Sequence, residues 1–514
     1  MIRTNQSTIF EPAQTLEDIK SDFITVASHQ LRTPISAVRW SLDTLLSGRA
    51  GKLSTRQKEI VIAAYQNNKF MVKVVNDLLR ASRLDEKGTS LMPNFENIIS
   101  LTKKLIKKHL AWAKASNCTI ILKSEKNLPK VFIDFSQAKL ILDDLIDNAI
   151  RYSRSKGLIR IYLKKTKNFL IFRIVDDGIG IPSDQKHLVF TKFFRARNAM
   201  KAQTEGLGLD LYIAKKIIEA SGGKIVFKSR ENRGSIFTLY LPLTKSQFEN
   251  QVEGERESVE DILKKEREFV TITVHELKAP LGVSKWSLEM LKSQKPGRLN
   301  KNQLELIDQI YHGNERLLVL VRDLLNLAKL QEGQFEVNIK PLNLDPVLAE
   351  VVSSFNSSIK VKKINLKIFK QIKPLPLVLA DESRIAQVLT NLLSNAIKYT
   401  PAGGKIDIQV SQKSGNELKP IFQKLNYGKI YHTKNNKGYL VFCVADTGVG
   451  ISVQDQQKLF TRFFRSKKIL ASQVEGTGLG LYISKSIINL HQGDIWFTSE
   501  FGQGSNFYFS LPLV

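Results

Sequence analysis

Hydrophobic positions along the chain follow two alternating regimes. Over residues 16–47, Phe23, Val26, Ala27, Ile35, Val38, Leu42 and Leu45 recur at helical spacing, and Ile60, Ala64, Phe70, Val74 and Leu78 do the same over 53–84. A Gly-containing turn at 48–51 joins the two stretches into a predicted helical hairpin. Such a hairpin cannot bury both of its apolar stripes, so it is expected to pair with a second hairpin in a four-helix bundle. Beyond it, short Ile/Val/Phe-rich runs at 131–133, 158–163, 169–175, 224–228 and 235–241 alternate with helical patterns. They predict an α/β sandwich with helices on one face of a mixed sheet. The whole scheme then returns, with hairpin helices at 260–293 and 299–331. The predicted fold class is therefore α plus α/β: hairpins forming dimeric four-helix bundles, each followed by an α/β sandwich, twice over. The expected boundaries are 15–88 and 89–244, a polar, acidic linker at 245–258, then 259–333 and 334–514.

The repeat is explicit in the residues. Ala27–Trp40 reads ASHQLRTPISAVRW and Thr273–Trp286 reads TVHELKAPLGVSKW, with His29 and His275 at matching positions. DDLIDNAIRYS carries Asn148 where NLLSNAIKYT carries Asn395; VDDGIGIP carries Asp176 where ADTGVGIS carries Asp446; EGLGLDLY and EGTGLGLY close the series. The histidines lie 246 residues apart, the asparagines 247, the aspartates and glycines 270. The 23 extra residues fall around 411–438, a Lys/Asn/Gly-rich stretch that reads as a lengthened, structurally idle hairpin loop.

Composition narrows the options further. Hydrophobic residues are 42% and charged residues 25%, which suits folded domains rather than disorder. The apolar stretches near 318–325 and 439–444 are too short or too broken by charge to span a bilayer, and no signal-peptide pattern is present. Cys118 and Cys443 offer neither a disulfide framework nor a metal cluster, which points to a reducing compartment and a cytoplasmic location. The net charge of +28 is spread over both halves on polar helix faces without a recognition module, so no nucleic-acid partner is expected. It reads as a lysine-rich solvated surface, with weak attraction to an anionic membrane surface or an acidic partner as the secondary reading.

Four motifs in fixed order, twice, resemble the transmitter of two-component sensor histidine kinases over nearly everything from about residue 15 to 514. The hairpins resemble the HisKA-type dimerisation and phosphoacceptor domain, and the sandwiches resemble the GHKL (Bergerat, HATPase_c) ATP-binding domain. The resemblance implies ATP and Mg²⁺ as cofactors, a homodimer through the hairpins, and phosphotransfer to the receiver domain of a separate response regulator. His29 and His275 become the phosphoacceptors, each followed five residues on by a proline, Pro34 or Pro280, that bends the helix. The neighbouring residue, Gln30 or Glu276, holds the second imidazole nitrogen and so fixes the tautomer. Asn148 and Asn395 match the family's Mg²⁺-binding asparagine, whose amide oxygen is a hard ligand. Arg151 and Tyr152, or Lys398 and Tyr399, follow on the same helix toward phosphate or ribose. Asp176 and Asp446 match the acceptor for the adenine amino group, with Gly178, Gly180, Gly448 and Gly450 letting backbone pass close to the base. Gly206, Gly208, Gly476, Gly478 and Gly480 precede a helix whose N-terminus can hold a triphosphate. Phe190–Arg195 and Phe460–Arg465 fall where the family has a mobile lid, with Arg195 and Arg465 directed at phosphates.

The copies are not equivalent. The second has Glu276, Asn391, Asn395, Lys398 and an intact GTGLGL; the first has Gln30, Asp144 at the position of Asn391, Leu207 at Thr477 and Asp210 at Gly480. A carboxylate in the first helical turn competes with phosphate for the helix N-terminus. Two charges about 4 Å apart repel by roughly 1–4 kcal/mol, enough to weaken ATP binding by about one to three orders of magnitude. Thr33 lies four residues after His29, where the family positions water for dephosphorylation of the partner, and Ala279 replaces it in the second copy. The expected division of labour gives phosphohistidine formation to His275 and a regulatory or phosphatase role to the first copy. A pseudokinase pair acting as a nucleotide-responsive scaffold is the alternative; a chaperone or mismatch-repair type of GHKL ATPase is disfavoured by the proline-flanked histidines. No residues are left over for a receiver domain, and none before residue 15 for a sensor.

Overall fold

Helix α1 (Leu16–Leu46) continues through Pro34, and the turn that ends it is made by Gly48 and Gly51, both at positive φ. Helix α2 (Thr55–Asp85) starts from a capping box: Gln57 N donates to Ser54 Oγ at 3.3 Å and Ser54 N donates to Gln57 Oε1 at 2.8 Å. These coordinates are a computed structural model, which describes residues 16–85, 92–154, 156–202, 206–244, 259–331, 335–425, 437–466 and 476–514. The linker expected at 245–258 lies outside the described residues. The chain divides into two units, one up to Val321 and one from Arg322 onward.

In the first unit the hairpin leads into β1 (Asn94–Glu96), α3 (Ile98–Ala115), β2 (Thr119–Ser124), β3 (Val131–Ile133) and α4 (Phe135–Arg151). Then come β4 (Leu158–Lys165), β5 (Phe169–Val175), α5 (Arg197–Ala202), α6 (Asp210–Ala220), β6 (Lys224–Arg230) and β7 (Gly234–Pro242). Five strands form one sheet in the order β2-β4-β5-β7-β6, parallel only between β2 and β4. Helices α4 and α6 cover one face: Ile141, Leu142, Leu145 and Ile146 of α4 and Ile213 and Ile217 of α6 are buried among Ile161, Leu170 and Phe172 of the sheet.

The second hairpin, α7 (Val259–Lys292) and α8 (Lys301–Gln331), completes the bundle within the same chain. Val38, Leu42, Leu45, Val61 and Ala64 of the first hairpin share one core with Leu288, Leu291, Ile307 and Ile310 of the second. The polar contacts are reciprocal. Gln57 Nε2 donates to the carbonyls of Gly297 and Arg298 at 3.0 and 3.2 Å, and Gln303 Nε2 donates to those of Gly51 and Lys52 at 3.2 Å each. Inside each hairpin a fully buried asparagine bonds the backbone just after the proline, Asn68 to the Ile35 carbonyl and Asn314 to that of Leu281. Hairpins of this kind pair with a second hairpin, and here the two hairpins of one chain pair with each other. Among the described residues, the apolar stripe of each hairpin is covered by the other hairpin of the same chain.

The second unit holds the end of α8, then β8 (Lys340–Leu342), α9 (Leu344–Ser354), α10 (Asn356–Val361), β9 (Asn365–Lys370), β10 (Val378–Ala380) and α11 (Glu382–Tyr399). It continues with β11 (Lys405–Lys413), α12 (Gly415–Leu425), β12 (Tyr439–Asp446), α13 (Val453–Gln456), α14 (Gly480–Leu490), β13 (Ile495–Glu500) and β14 (Gly504–Pro512). Its sheet runs β13-β14-β12-β11-β9, with only β9 and β11 parallel. The insertion expected to be an idle loop instead carries α12, whose Leu418 is buried with Tyr439, Val441 and Trp496 on the sheet face opposite α11 and α14. The aromatic surface on this face needs a cover that Val226 and Thr238 at the corresponding first-copy positions do not. No described helix is long and apolar enough to cross a membrane.

Candidate active site

The first sandwich builds a cleft between its two long helices and the sheet, and the second places the matching residues on the matching elements. In both copies an aspartate, Asp176 or Asp446, stands at the end of a central strand. Asp176 Oδ1 accepts from the backbone N–H of Gly178 at 2.9 Å and of Ser235 at 3.1 Å. Asp446 Oδ1 accepts from Gly448 N at 2.8 Å, and the Asp446 carboxylate also accepts from the Ser505 backbone. Burial pushes both carboxyls up to about 6, against the lowering effect of these bonds. In Asp176 both bonds fall on Oδ1, which leaves Oδ2 to accept from a ligand donor.

The glycines after these aspartates have a more local cause than close approach to a base. A Cβ on Gly178 would lie 2.3 Å from the Tyr152 carbonyl oxygen, and one on Gly448 2.6 Å from that of Tyr399. Gly180 and Gly450 sit at φ +62° and +64°, each against a backbone oxygen of the neighbouring hairpin. Gly208 and Gly478 pack on the backbone of the lid segment, where Phe193 and Phe463 adopt positive φ. The lid aromatics Phe190 and Phe460 lie against sheet residues Phe227 and Phe497, at 5.5 and 5.9 Å between centroids.

The phosphate ends differ. On α11 of the second copy, Ile385, Leu389, Leu392, Leu393 and Ala396 are buried, which leaves Asn391, Asn395 and Lys398 along one edge. Asn391 Nδ2 donates to Ser484 Oγ at 2.9 Å, and a Cβ on Gly480 would fall 2.3 Å from Asn391 Oδ1. The Lys398 ammonium reaches the glycine loop, 2.9 Å from where a Gly476 Cβ would be. Burial and the nearby Arg465 guanidinium push Lys398 down to about 8. The loop is tied to the hairpin helix: Thr477 Oγ1 donates to Asp323 Oδ2 of α8 at 2.9 Å. Burial pushes Asp323 up to about 6 against that bond. Hard amide oxygens beside two cations fit a magnesium-bound polyphosphate.

In the first copy the cleft is lined by Asn148, Arg151, Tyr152, Asp176, Gly180, Gly206, Gly208 and Arg195. Its phosphate end is filled with charge of its own. Lys73 Nζ of α2 lies 3.2 Å from Asp210 Oδ2 and 3.7 Å from Asp144 Oδ1. Burial alone would lower the Lys73 pKa, but Asp210, Asp144, Asp77 and Asp147 outweigh it and hold the ammonium above the ordinary lysine value. Asp144 is raised by burial and by Asp210, with Lys73 opposing. Asp77, at the position of Asp323, faces no threonine because Leu207 stands there, and burial with Asp210 pushes it up to about 7. Arg151 is held by Asp147 at 3.0 Å. An ammonium between two carboxylates does not fit a magnesium ion with its phosphates.

His29 and His275, the expected phosphoacceptors, lie within α1 and α7; their side chains fall outside the described residues. Gln30 and Glu276 beside them are half-buried, while Thr33 and Ala279 are exposed. His491 serves the fold: its Nε2 accepts from Asp381 N at 2.9 Å and its Nδ1 donates to the Ile487 carbonyl at 2.8 Å. Sequence reasoning missed Lys73, Asp77 and Asp323. Aligning the hairpins in register would have found the first, since Lys73 falls opposite Val319.

Comparison with known proteins agrees with this geometry. The family model described as His Kinase A (phospho-acceptor) domain matches residues 19–87 and 265–333. The model described as Histidine kinase-, DNA gyrase B-, and HSP90-like ATPase matches 133–245 and 380–514. The adaptive-response sensory kinase SasA of Rippkaea orientalis is 31% identical over 249 residues, 48% of this chain and 57% of that protein. The sensor histidine kinase WalK of Bacillus subtilis is 31% identical over 254 residues, 48% of this chain and 36% of that protein. Among solved structures, full-length ShkA in complex with AMPPNP is 26% identical, with a TM-score of 0.37, 48% of this chain and 46% of that one being covered. The chain thus spans less than two thirds of either curated relative's length. With both domain models matched twice, in order and over most of its length, the chain belongs to the histidine kinase family.

Proposed function

We propose that the chain is an ATP-dependent protein-histidine autokinase whose two copies form a single-chain pseudodimer, with the second copy as its active core. The observation that supports it is the contrast between the phosphate ends: Lys398 stands beside Gly476 with the Arg465 guanidinium near it in the second copy, where the first has a lysine neutralised by carboxylates. In this reading Asp446 accepts from the adenine amino group and Lys398 holds the phosphates. Asn395, with Asn391 beside it on the same helix edge, would hold Mg²⁺, which would neutralise charge developing on the phosphates. One nitrogen of His275 attacks the γ-phosphorus while its bond to the bridging oxygen breaks and ADP leaves. The other ring N–H donates to Glu276, which stabilises the imidazolium form. The phosphoryl group then passes to an aspartate of a separate response-regulator receiver. The buried, unpaired Cys118 and Cys443 suit a cytoplasmic setting. The proposed division assigns 15–88 and 259–333 to phosphoacceptor hairpins, 89–244 and 334–514 to ATP-binding domains, and 245–258 to the linker.

The test is acid-labile label from γ-labelled ATP on wild type, His29→Ala and His275→Ala. Label lost only with His275→Ala supports the reading. Label lost only with His29→Ala reverses the assignment of the acceptor, and no label in any form favours a scaffold.

A further inference from the structure

Four positions that differ between the copies meet at one place. Lys73, Asp144, Asp210 and Ala214 of the first copy stand where the second has Val319, Asn391, Gly480 and Ser484. The second set is self-consistent. Asn391 is held by the Ser484 hydroxyl, and its side-chain oxygen occupies the space that any Cβ at residue 480 would need. The first set is self-consistent in another way. Ala214 offers no hydroxyl, Asp210 adds a second carboxylate beside Asp144, and Lys73 reaches in from the bundle to meet both at 3.2 and 3.7 Å. Asp144 and Asp210 keep only 15% and 23% of their side-chain surface exposed while Lys73 keeps 40%, so the carboxylates are sheltered and the ammonium is partly screened by solvent. Lys73 belongs to α2 and both aspartates to the sandwich, so the same bonds fasten the first ATP-binding domain to its hairpin.

We propose that Lys73, Asp144 and Asp210 form a latch that occupies the metal-and-phosphate end of the first cleft, which therefore takes an adenine nucleoside and excludes magnesium-bound ATP. The inference rests on reading this cleft as a nucleotide pocket of the family. The base end supports that choice of ligand. Asp176 keeps its two backbone bonds and its open Oδ2, and Ile174, Ile179 and Phe237 supply apolar walls. At the other end a polyphosphate meets the carboxylates of Asp144 and Asp210, and the Lys73 ammonium between them is already engaged, whereas a neutral nucleoside meets no such repulsion. Nucleoside binding there requires neither domain release nor a metal.

The experiment uses the full chain with the second pocket silenced by Asp446→Asn, and calorimetric titration with adenosine and with Mg–ATP. Adenosine is expected to bind more tightly than Mg–ATP. Adding Lys73→Val, Asp144→Asn and Asp210→Gly is expected to tighten Mg–ATP at least tenfold while adenosine moves less than threefold. Asp210→Asn alone, which keeps the side-chain shape, is expected to tighten Mg–ATP at least threefold and guards against misfolding of the multiple variant. Mg–ATP binding to the silenced chain as tightly as to the second pocket, measured in an Asp176→Asn chain, overturns the latch and leaves the nucleotide reading intact. Failure of both ligands to bind with or without the latch residues overturns the nucleotide reading of the first cleft itself.

Discussion

Gln57 and Gln303 stand in reciprocal relation: each caps its own helix and donates its side-chain amide to the turn of the other copy. This is the isologous geometry of a twofold dimer, written into one chain. In a homodimer every substitution occurs twice; in a tandem chain each half of the interface can change alone. That freedom is what allows Lys73, Asp144 and Asp210 to arise on one side only.

The bundle is therefore expected to be complete in a monomer. Light scattering on the purified chain should give 58.2 kDa, and twice that mass would mean that hairpins exchange between chains. Leu288→Ala or Ile310→Ala, each emptying a fully buried site shared by both hairpins, should cost about 2–5 kcal/mol in chemical unfolding.

Nucleotide affinity of the second pocket should be highest between pH 6 and 8. Lys398 sits at about 8 because burial and Arg465 disfavour its charge, and a bound polyphosphate favours it. Affinity is then retained below 8 and falls, by up to about tenfold per pH unit, as pH rises through it. Asp446 sits at about 6, so protonation below that value removes its acceptor capacity and weakens binding on the acid side. Titration of Mg–ATP in an Asp176→Asn chain from pH 5 to 9.5 reads both limbs, and Lys398→Arg should flatten the alkaline one alone.

Thr33 is exposed on α1, four residues after His29, where a receiver can reach it. Thr33→Ala should slow dephosphorylation of the partner's phosphoaspartate at least tenfold. An unchanged rate removes the phosphatase role from the first copy.

The inserted helix α12 stabilises the second domain. Leu418 is buried against Trp496 and Tyr439, so Leu418→Ala should cost about 2–5 kcal/mol in thermal or chemical unfolding. A loss below about 0.5 kcal/mol would mean the insertion is idle after all.

Much of this was legible in the sequence, for physical reasons. Hairpin helices announce themselves through apolar residues at a 3.6 period, and the four motifs carry chemistry that few other spacings satisfy. Three features were hidden. The pattern of an amphipathic hairpin is the same whether its partner is another chain or the same one, so Val38 and Leu42 could not name Leu288 as their neighbour. Helix α12 has Pro420 inside and Lys/Asn/Gly-rich flanks, which read as loop until the sheet face it covers is seen. Lys73 looked like one more solvated lysine on a basic surface, and only the fold brings it between Asp144 and Asp210.

The most direct test of a pseudodimer with one competent ATP site is phosphohistidine formation by the monomeric full chain carrying Asp446→Asn or Asp176→Asn. The account predicts that Asp446→Asn reduces acid-labile label at least a hundredfold while Asp176→Asn retains most of it. Label that survives Asp446→Asn and disappears with Asp176→Asn would place the active core in the first copy and contradict the account.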